Sequence, residues 1–310
     1  MNLDRVRKAT IALLGVTLLW GGTFIWMQQS LNAAAAALPN IPENDVVVFF
    51  VMMRFVLAAA VLVTVFPRAR AGFANAEVWK GGAWLGLIVW GGFLLQMLGL
   101  TGVTPAVSAF LTSLYVVFTA LIGVALGRQK LTGFAILGVL LATFGAGWIS
   151  GPPQLNFGVG EWLTVGCALL FGAHIIVTDR VTKIVDPVEV TATMIVTVAA
   201  LSTVVYLVMA FDTMSEVMGL MRDFDFLFPL LCCAILGSLV ALLVLNMYQK
   251  EVTPVRAAIL YALEPVWAML GSLFLGLEGD VTFWLPVGAA ALLIGNLVVE
   301  YEQISSSDSG

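Results

Sequence analysis

Apolar residues in this chain run in long blocks, and the polar residues gather in short stretches between them. About 20 consecutive apolar residues cross the hydrocarbon core of a bilayer as a helix. Helix is also the only open-chain structure that satisfies its own backbone there. The pattern predicts ten transmembrane helices: Ala9–Leu31, Val46–Phe66, Ala83–Leu100, Ala106–Leu126, Leu131–Ile149, Glu161–Thr178, Val188–Phe211, Phe226–Leu245, Ala257–Leu275 and Thr282–Val299. The connections are short, several with proline (Pro39, Pro42, Pro67, Pro105, Pro152, Pro153, Pro187, Pro254). None is long enough to hold a soluble domain, so any function must sit within the bundle.

The first block needs a separate check, because Arg5, Arg7 and Lys8 precede it and Ala33–Ala37 offers small residues after it. It exceeds the 7–15 apolar residues of a signal peptide, and it has a counterpart later in the chain. It therefore reads as the first span.

Composition agrees with the pattern. The chain is 61% hydrophobic and 11% charged over 310 residues, where a soluble domain carries about 25% charge. A single water-soluble core cannot hold that much apolar surface, so the remaining solvent is lipid. A net charge of −5 argues against nucleic acid as a partner, since phosphate binding needs clustered Lys and Arg. Cys167, Cys232 and Cys233 all lie inside apolar runs and suggest neither a disulfide framework nor a metal site. The usual catalytic signatures are missing, so the expectation is a protein that is not an enzyme and uses no cofactor.

Basic residues set the orientation. With the N-terminus in the cytoplasm, the inner segments hold Arg5, Arg7, Lys8, Arg68, Arg70, Lys80, Arg128, Lys130, Arg180, Lys183, Lys250 and Arg256. The outer loops hold only Arg222, among Asp212, Glu216, Asp223 and Asp225, while Arg54 lies within a span. This asymmetry predicts both termini in the cytoplasm. The Ser-rich, acidic tail 301–310 is expected to be disordered there.

The chain also repeats itself. At an offset of about 149–151 residues, Leu18–Thr23 falls on Leu169–His174, and Val103-Thr104-Pro105 on Val252-Thr253-Pro254. Leu126-Gly127 then meets Leu275-Gly276, and Thr132, Gly138 and Gly145 meet Thr282, Gly288 and Gly295. The reading divides the chain into repeats 1–150 and 151–300. Five spans per repeat is odd, so the second repeat enters the membrane from the opposite side, the arrangement of alternating-access carriers.

These residues carry a family resemblance. Trp20-Gly21-Gly22-Thr23-Phe24, Arg54-Phe55, Thr253-Pro254, Leu263-Glu264-Pro265-Val266-Trp267 and Phe274-Leu275-Gly276 resemble the EamA-type transporters of the drug/metabolite transporter superfamily. The resemblance covers both repeats. It implies an all-α integral membrane fold of ten helices in two inverted five-helix repeats, and commonly export of amino acids or other metabolites. Two departures stand out. The family's Leu-Gly-Glu reads Leu126-Gly127-Arg128 here and Leu275-Gly276-Leu277-Glu278 in the second repeat. Val116 also stands where the second repeat has Pro265, which predicts a straighter fourth helix than ninth.

Span four carries Ser108, Thr112, Tyr115 and Thr119 as one helical stripe. The repeat offset puts Tyr261 and Glu264 on the equivalent face of span nine. Span six offers Cys167, Phe171, His174 and Thr178, and span one Trp20, Thr23 and Met27. Four stripes at matching positions predict one shared cavity, although Ser and Thr also serve simply as interhelical glue. Glu264 is the strongest candidate for contact with substrate or with a coupling proton, because a carboxyl at span depth is costly. The alternative is a structural ion pair with Arg54. His174 is either a titrating group or a packing residue. Trp20, Trp90 and Phe171 are expected to wall the cavity. Gly138, Ala142, Gly145, Gly288, Ala291 and Gly295 predict close helix packing, as scaffold or as a subunit contact, in a monomer or homodimer.

The leading function is a secondary transporter in the cell membrane that exports small amphipathic metabolites. Proton coupling, exchange and facilitation all stay open. The alternative is a lipid or lipid-linked-sugar flippase of the same fold. An intramembrane enzyme ranks last, since only Glu264, His174 and Arg54 bring ionisable chemistry to span centres.

Overall fold

The computed structural model describes residues 3–126, 133–148, 157–252, 257, 260–278 and 282–307. Every regular element among them is a helix. In chain order the longer ones are α1 (Leu3–Ala37), α2 (Glu43–Val65), α3 (Ala76–Leu100), α4 (Pro105–Thr112), α5 (Tyr115–Ala125), α6 (Gly133–Trp148), α7 (Val159–Val181) and α8 (Pro187–Met209). After them come α9 (Phe224–Leu231), a π-helical segment Cys232–Val240, α10 (Ala241–Tyr248), α11 (Glu264–Phe274) and α12 (Trp284–Ser307). Seven helical stretches are long and apolar enough to cross a membrane, with shorter apolar stretches at Ile136–Gly145 and Trp284–Gly295. Arg128, Lys130, Thr253, Pro254 and Arg256, named above for orientation and resemblance, lie outside the described residues.

Local chemistry starts the helices where the polar punctuation stands. The Asp186 carboxylate accepts from the backbone N–H groups of Val188 and Glu189, and Pro187 opens α8, where its missing N–H costs nothing. Asn75 caps α3 and Asp223 caps α9 in the same way. Thr104 caps α4, with Pro105 at its first turn. At its other end α11 finishes on Gly276 (φ 65°), in the left-handed region, and the Leu277 N–H returns to the Ser272 carbonyl at 2.9 Å. Only glycine adopts that φ without strain. The last helix runs on through Ser307, so residues 301–307, expected to be disordered, continue α12; Glu300, Glu302 and Gln303 are good helix formers.

The same contacts are made twice, once by each half of the chain. A Cβ on Gly21 of α1 would lie 2.6 Å from Trp267 Cβ, 2.9 Å from the Glu264 carbonyl oxygen and 3.1 Å from Ala268 N. A Cβ on Gly172 of α7 would meet Phe118 Cβ at 2.9 Å, the Tyr115 carbonyl oxygen at 3.0 Å and Thr119 N at 3.1 Å. The two sets of partners stand one repeat offset apart. Through one glycine each, α1 therefore packs against α11 and α7 against α5, in both cases across the two halves. Gly145 approaches Gly288 and Leu292, and Gly295 approaches Gly138 and Ala142, which makes α6 and α12 a self-matched pair. Those small residues thus serve as scaffold within the chain. α2 likewise lies against α8, α3 against α7 and α8, and α1 against α9, the π segment and α10.

Three helices are interrupted. Between α4 and α5 the ladder tightens to three-residue bonds, Leu114 N to Leu111 O and Val116 N to Ser113 O, while Ser113 Oγ donates to Phe110 O at 2.7 Å. Before α11 the pattern recurs as Leu263 N to Leu260 O and Val266 N to Leu263 O. The chain is therefore broken between α4 and α5 as it is before α11, against the expectation of a straighter helix drawn from Val116. A serine bonding back to its own helix tightens a turn without any proline. The third interruption is the π segment after Pro229, which has no N–H to donate.

Candidate functional site

The two matched breaks meet at one narrow internal cavity of about 30 Å3, room for roughly one or two water molecules. Each break delivers one polar side chain at the first residue of the helix that follows, Tyr115 on α5 and Glu264 on α11. These residues are 149 positions apart in the sequence, and both line the same cavity. Glu264 is 5% exposed.

Around this pair, α1 contributes Trp20 and Thr23, and α7 contributes Phe171, His174 and Ile175. The tyrosine preceding the second break, Tyr261, packs its ring edge-on to Trp20 at 5.6 Å between centroids. Trp20 is fixed from the other side by an N–H bond of 3.1 Å to the Gly237 carbonyl of the π segment. His174 shares a hydrogen bond with Thr178 at 3.2 Å. α3 adds Val89, Phe93 and Gln96, and α10 adds Leu242 and Leu245. Phe93 and Phe171 meet edge-to-face at 5.2 Å, so part of the lining is an aromatic wall.

Seven expected site residues thus come together: Trp20, Thr23, Tyr115, Phe171, His174, Tyr261 and Glu264. Ser108 and Thr112 are fully buried behind the lining; the Ser108 hydroxyl has no partner among the described residues, and Thr112 faces Cys167. Thr119 bonds the carbonyls of Tyr115 and Gly172, so it serves as interhelical glue. Trp90 is packed against the core beside the cavity and does not line it; Val89 and Phe93 of the same helix form the wall instead. On a helix only one of two adjacent residues faces a given side.

Arg54 does not pair with Glu264, because its own surroundings draw it elsewhere. Its Nε donates to Ser238 Oγ at 2.6 Å, its Nη1 lies 3.5 Å from Met27 Sδ, and its guanidinium carbon sits 4.3 Å from the Phe93 ring centroid. Cation–π contact and the charge-assisted bond to Ser238 hold a buried guanidinium without a carboxylate. Among the described residues the ion pairs are Arg68–Asp186 and Lys183–Asp179, both at helix ends.

Gln96 and Gln249 were not anticipated. Gln96 is an amide within an apolar span, a signal of the same kind as Glu264 though weaker. Gln249 stands beside Lys250 and Glu251 and reads as part of a solvated turn, yet it is fully buried.

Helices long enough to cross a membrane and an internal cavity lined by both related halves define a multi-pass membrane protein built around an internal site. The EamA-like transporter family model matches residues 7–151 and again 158–301. The chain belongs to that family of membrane transporters. An uncharacterized transporter from Archaeoglobus fulgidus is 26% identical over 266 residues, covering 85% of this chain and 77% of the relative. A protein of known crystal structure shares the fold at 17% identity, with a TM-score of 0.60 over 94% of this chain and 96% of its own.

Proposed function

We propose that this protein is a secondary carrier that exports small amphipathic metabolites, amino acids among them, across the cell membrane. The repeats 1–150 and 151–300 form two inverted five-helix sets, ten spans in all, with both termini in the cytoplasm. Alternating access is a rocking of one set against the other about the cavity. The observation that carries this reading is that Tyr115 and Glu264 stand at two equivalent helix breaks, one in each half, and line one cavity. Discontinuous helices at the contact between repeats are where carriers place their sites, since freed backbone dipoles and a wetted cavity make a polar group tolerable at membrane depth.

Glu264 offers the substrate an acceptor or carries the coupling proton, with the Tyr115 hydroxyl orienting it. Trp20, Tyr261, Phe93 and Phe171 take the apolar part of the solute. The test is flux of candidate solutes in proteoliposomes across a range of pH, for the parent chain and for Glu264→Gln. Loss of flux, or flux that no longer varies with pH, is expected; unchanged flux with unchanged pH dependence would sink the role given to Glu264.

A further inference from the structure

Gln249 lies in the short turn Gln249–Glu251 that follows α10, between residues that look solvated, and its side chain is fully buried. Its amide nitrogen donates to the Ile175 carbonyl of α7 at 3.0 Å. Its amide oxygen accepts from the Tyr261 hydroxyl at 3.1 Å. Tyr261 in turn rests edge-on against Trp20 of α1. One side chain therefore ties the end of α10 to α7 and to the helix that carries Tyr261, and through that ring to α1. Ile175, Leu245 and Tyr261 line the cavity immediately beside this tie.

The repeat makes the tie informative. At the repeat offsets, Gln249 matches Leu100, Tyr261 matches Thr112 and Ile175 matches Phe24. Leucine has neither donor nor acceptor in its side chain, so the matched position in the first half cannot make the bridge. The amide clasp therefore exists in one half of the chain only, whereas the Gly21 and Gly172 contacts and the two helix breaks occur in both. A feature that departs from the repeat in an otherwise twofold arrangement points to a difference between the two ends of the cavity.

We propose that Gln249 is a gate residue. Its clasp holds the cavity shut at the α10 end, and the Tyr261 hydroxyl couples its release to the solute. A tyrosine hydroxyl has one hydrogen to give. A solute group in the cavity that accepts it, such as a carbonyl or carboxylate, takes it from Gln249 and frees one of the two bonds of the clasp. This inference rests on the carrier reading.

The test uses the full chain with Cys167, Cys232 and Cys233 replaced by serine and one reporter, Leu245→Cys, in the cavity wall. A membrane-impermeant methanethiosulfonate is added to right-side-out and to inside-out vesicles, and modification rates are compared with and without Gln249→Leu. The expected result is at least a ten-fold faster modification from the face where α10 ends, and a change of less than two-fold from the opposite face. Tyr261→Phe, which deletes one oxygen and keeps the ring, is expected to give a smaller rise from the same face. It supplies the answer if Gln249→Leu does not fold. Rates that stay within two-fold of the parent from the α10 face, or that rise equally from both faces, overturn the gate. Solute flux in the same vesicles tests the carrier reading separately: changed labelling without flux in the parent chain refutes the carrier and not the gate, and flux with unchanged labelling does the reverse.

Discussion

Gly21→Ala adds one methyl group at the seam between α1 and α11, and the structure sets its consequence. The new Cβ would stand 2.6 Å from Trp267 Cβ and 2.9 Å from the Glu264 carbonyl oxygen. Ordinary contact begins near 3.4 Å, so the two helices must part by somewhat under an ångström or bend. Forcing one methyl into a packed interface costs about 1–3 kcal/mol. Against that stands the gain of replacing a helical glycine by alanine, up to about 1 kcal/mol. Gly15 lies in the same helix, and a Cβ added there would meet nothing within 4 Å, so it isolates the gain. Thermal unfolding in detergent should therefore show Gly15→Ala unchanged or raised and Gly21→Ala lowered, by a net of about 1–2 kcal/mol or several degrees. Gly172→Ala, whose closest neighbour lies at 2.9 Å, should fall between them. Equal melting temperatures for Gly15→Ala and Gly21→Ala would refute the close approach of α1 to α11, and with it the placement of Glu264 against the WGG segment.

Three further outcomes follow from particular contacts. Ser238→Ala removes the partner of the Arg54 Nε and leaves a buried charged donor unsatisfied, at a cost of about 1.5–3 kcal/mol; the double variant with Arg54→Met should recover most of it in a double-mutant cycle. Trp20→Phe keeps a ring against Tyr261 and loses the bond to the Gly237 carbonyl, so stability should fall by about 1 kcal/mol while transport falls further, as compared by melting and flux on one preparation. Glu278→Gln weakens the carboxylate that accepts from Ala106 N at the start of α4 (3.0 Å), and unfolding should shift by about 0.3–1 kcal/mol, less at high salt.

Much of this arrangement was legible because lipid imposes a simple rule. A block of about 20 apolar residues has one stable conformation in a bilayer, so most helices and the stripes of α1, α4–α5, α7 and the Tyr261–Glu264 segment followed from position alone. The repeat offset located Tyr115 and Glu264 together before any contact was known, since matched positions in homologous halves occupy matched places. Three features did not follow. The break at Ser113–Leu114 depends on a hydroxyl choosing its own helix's carbonyl, a choice that periodicity does not record. The π segment depends on the consequences of Pro229 being accommodated against α1. Arg54 carries a charge that suggests a carboxylate, whereas the aromatic face of Phe93 and the hydroxyl of Ser238 reach it from elements far away in sequence.

Sequence by itself therefore determined that the chain crosses a membrane many times, that its halves are copies, and which helix faces carry polar groups. Only the tertiary structure decided which helices pair across the halves, that Arg54 turns to Ser238 and Phe93 rather than to Glu264, and that Gln249 is buried with both ends of its amide bonded. The division has a physical cause. Transfer into lipid acts on each segment separately and is written in its composition. A hydrogen bond between helices depends on distances of about 3 Å between residues far apart along the chain, which no segment encodes alone.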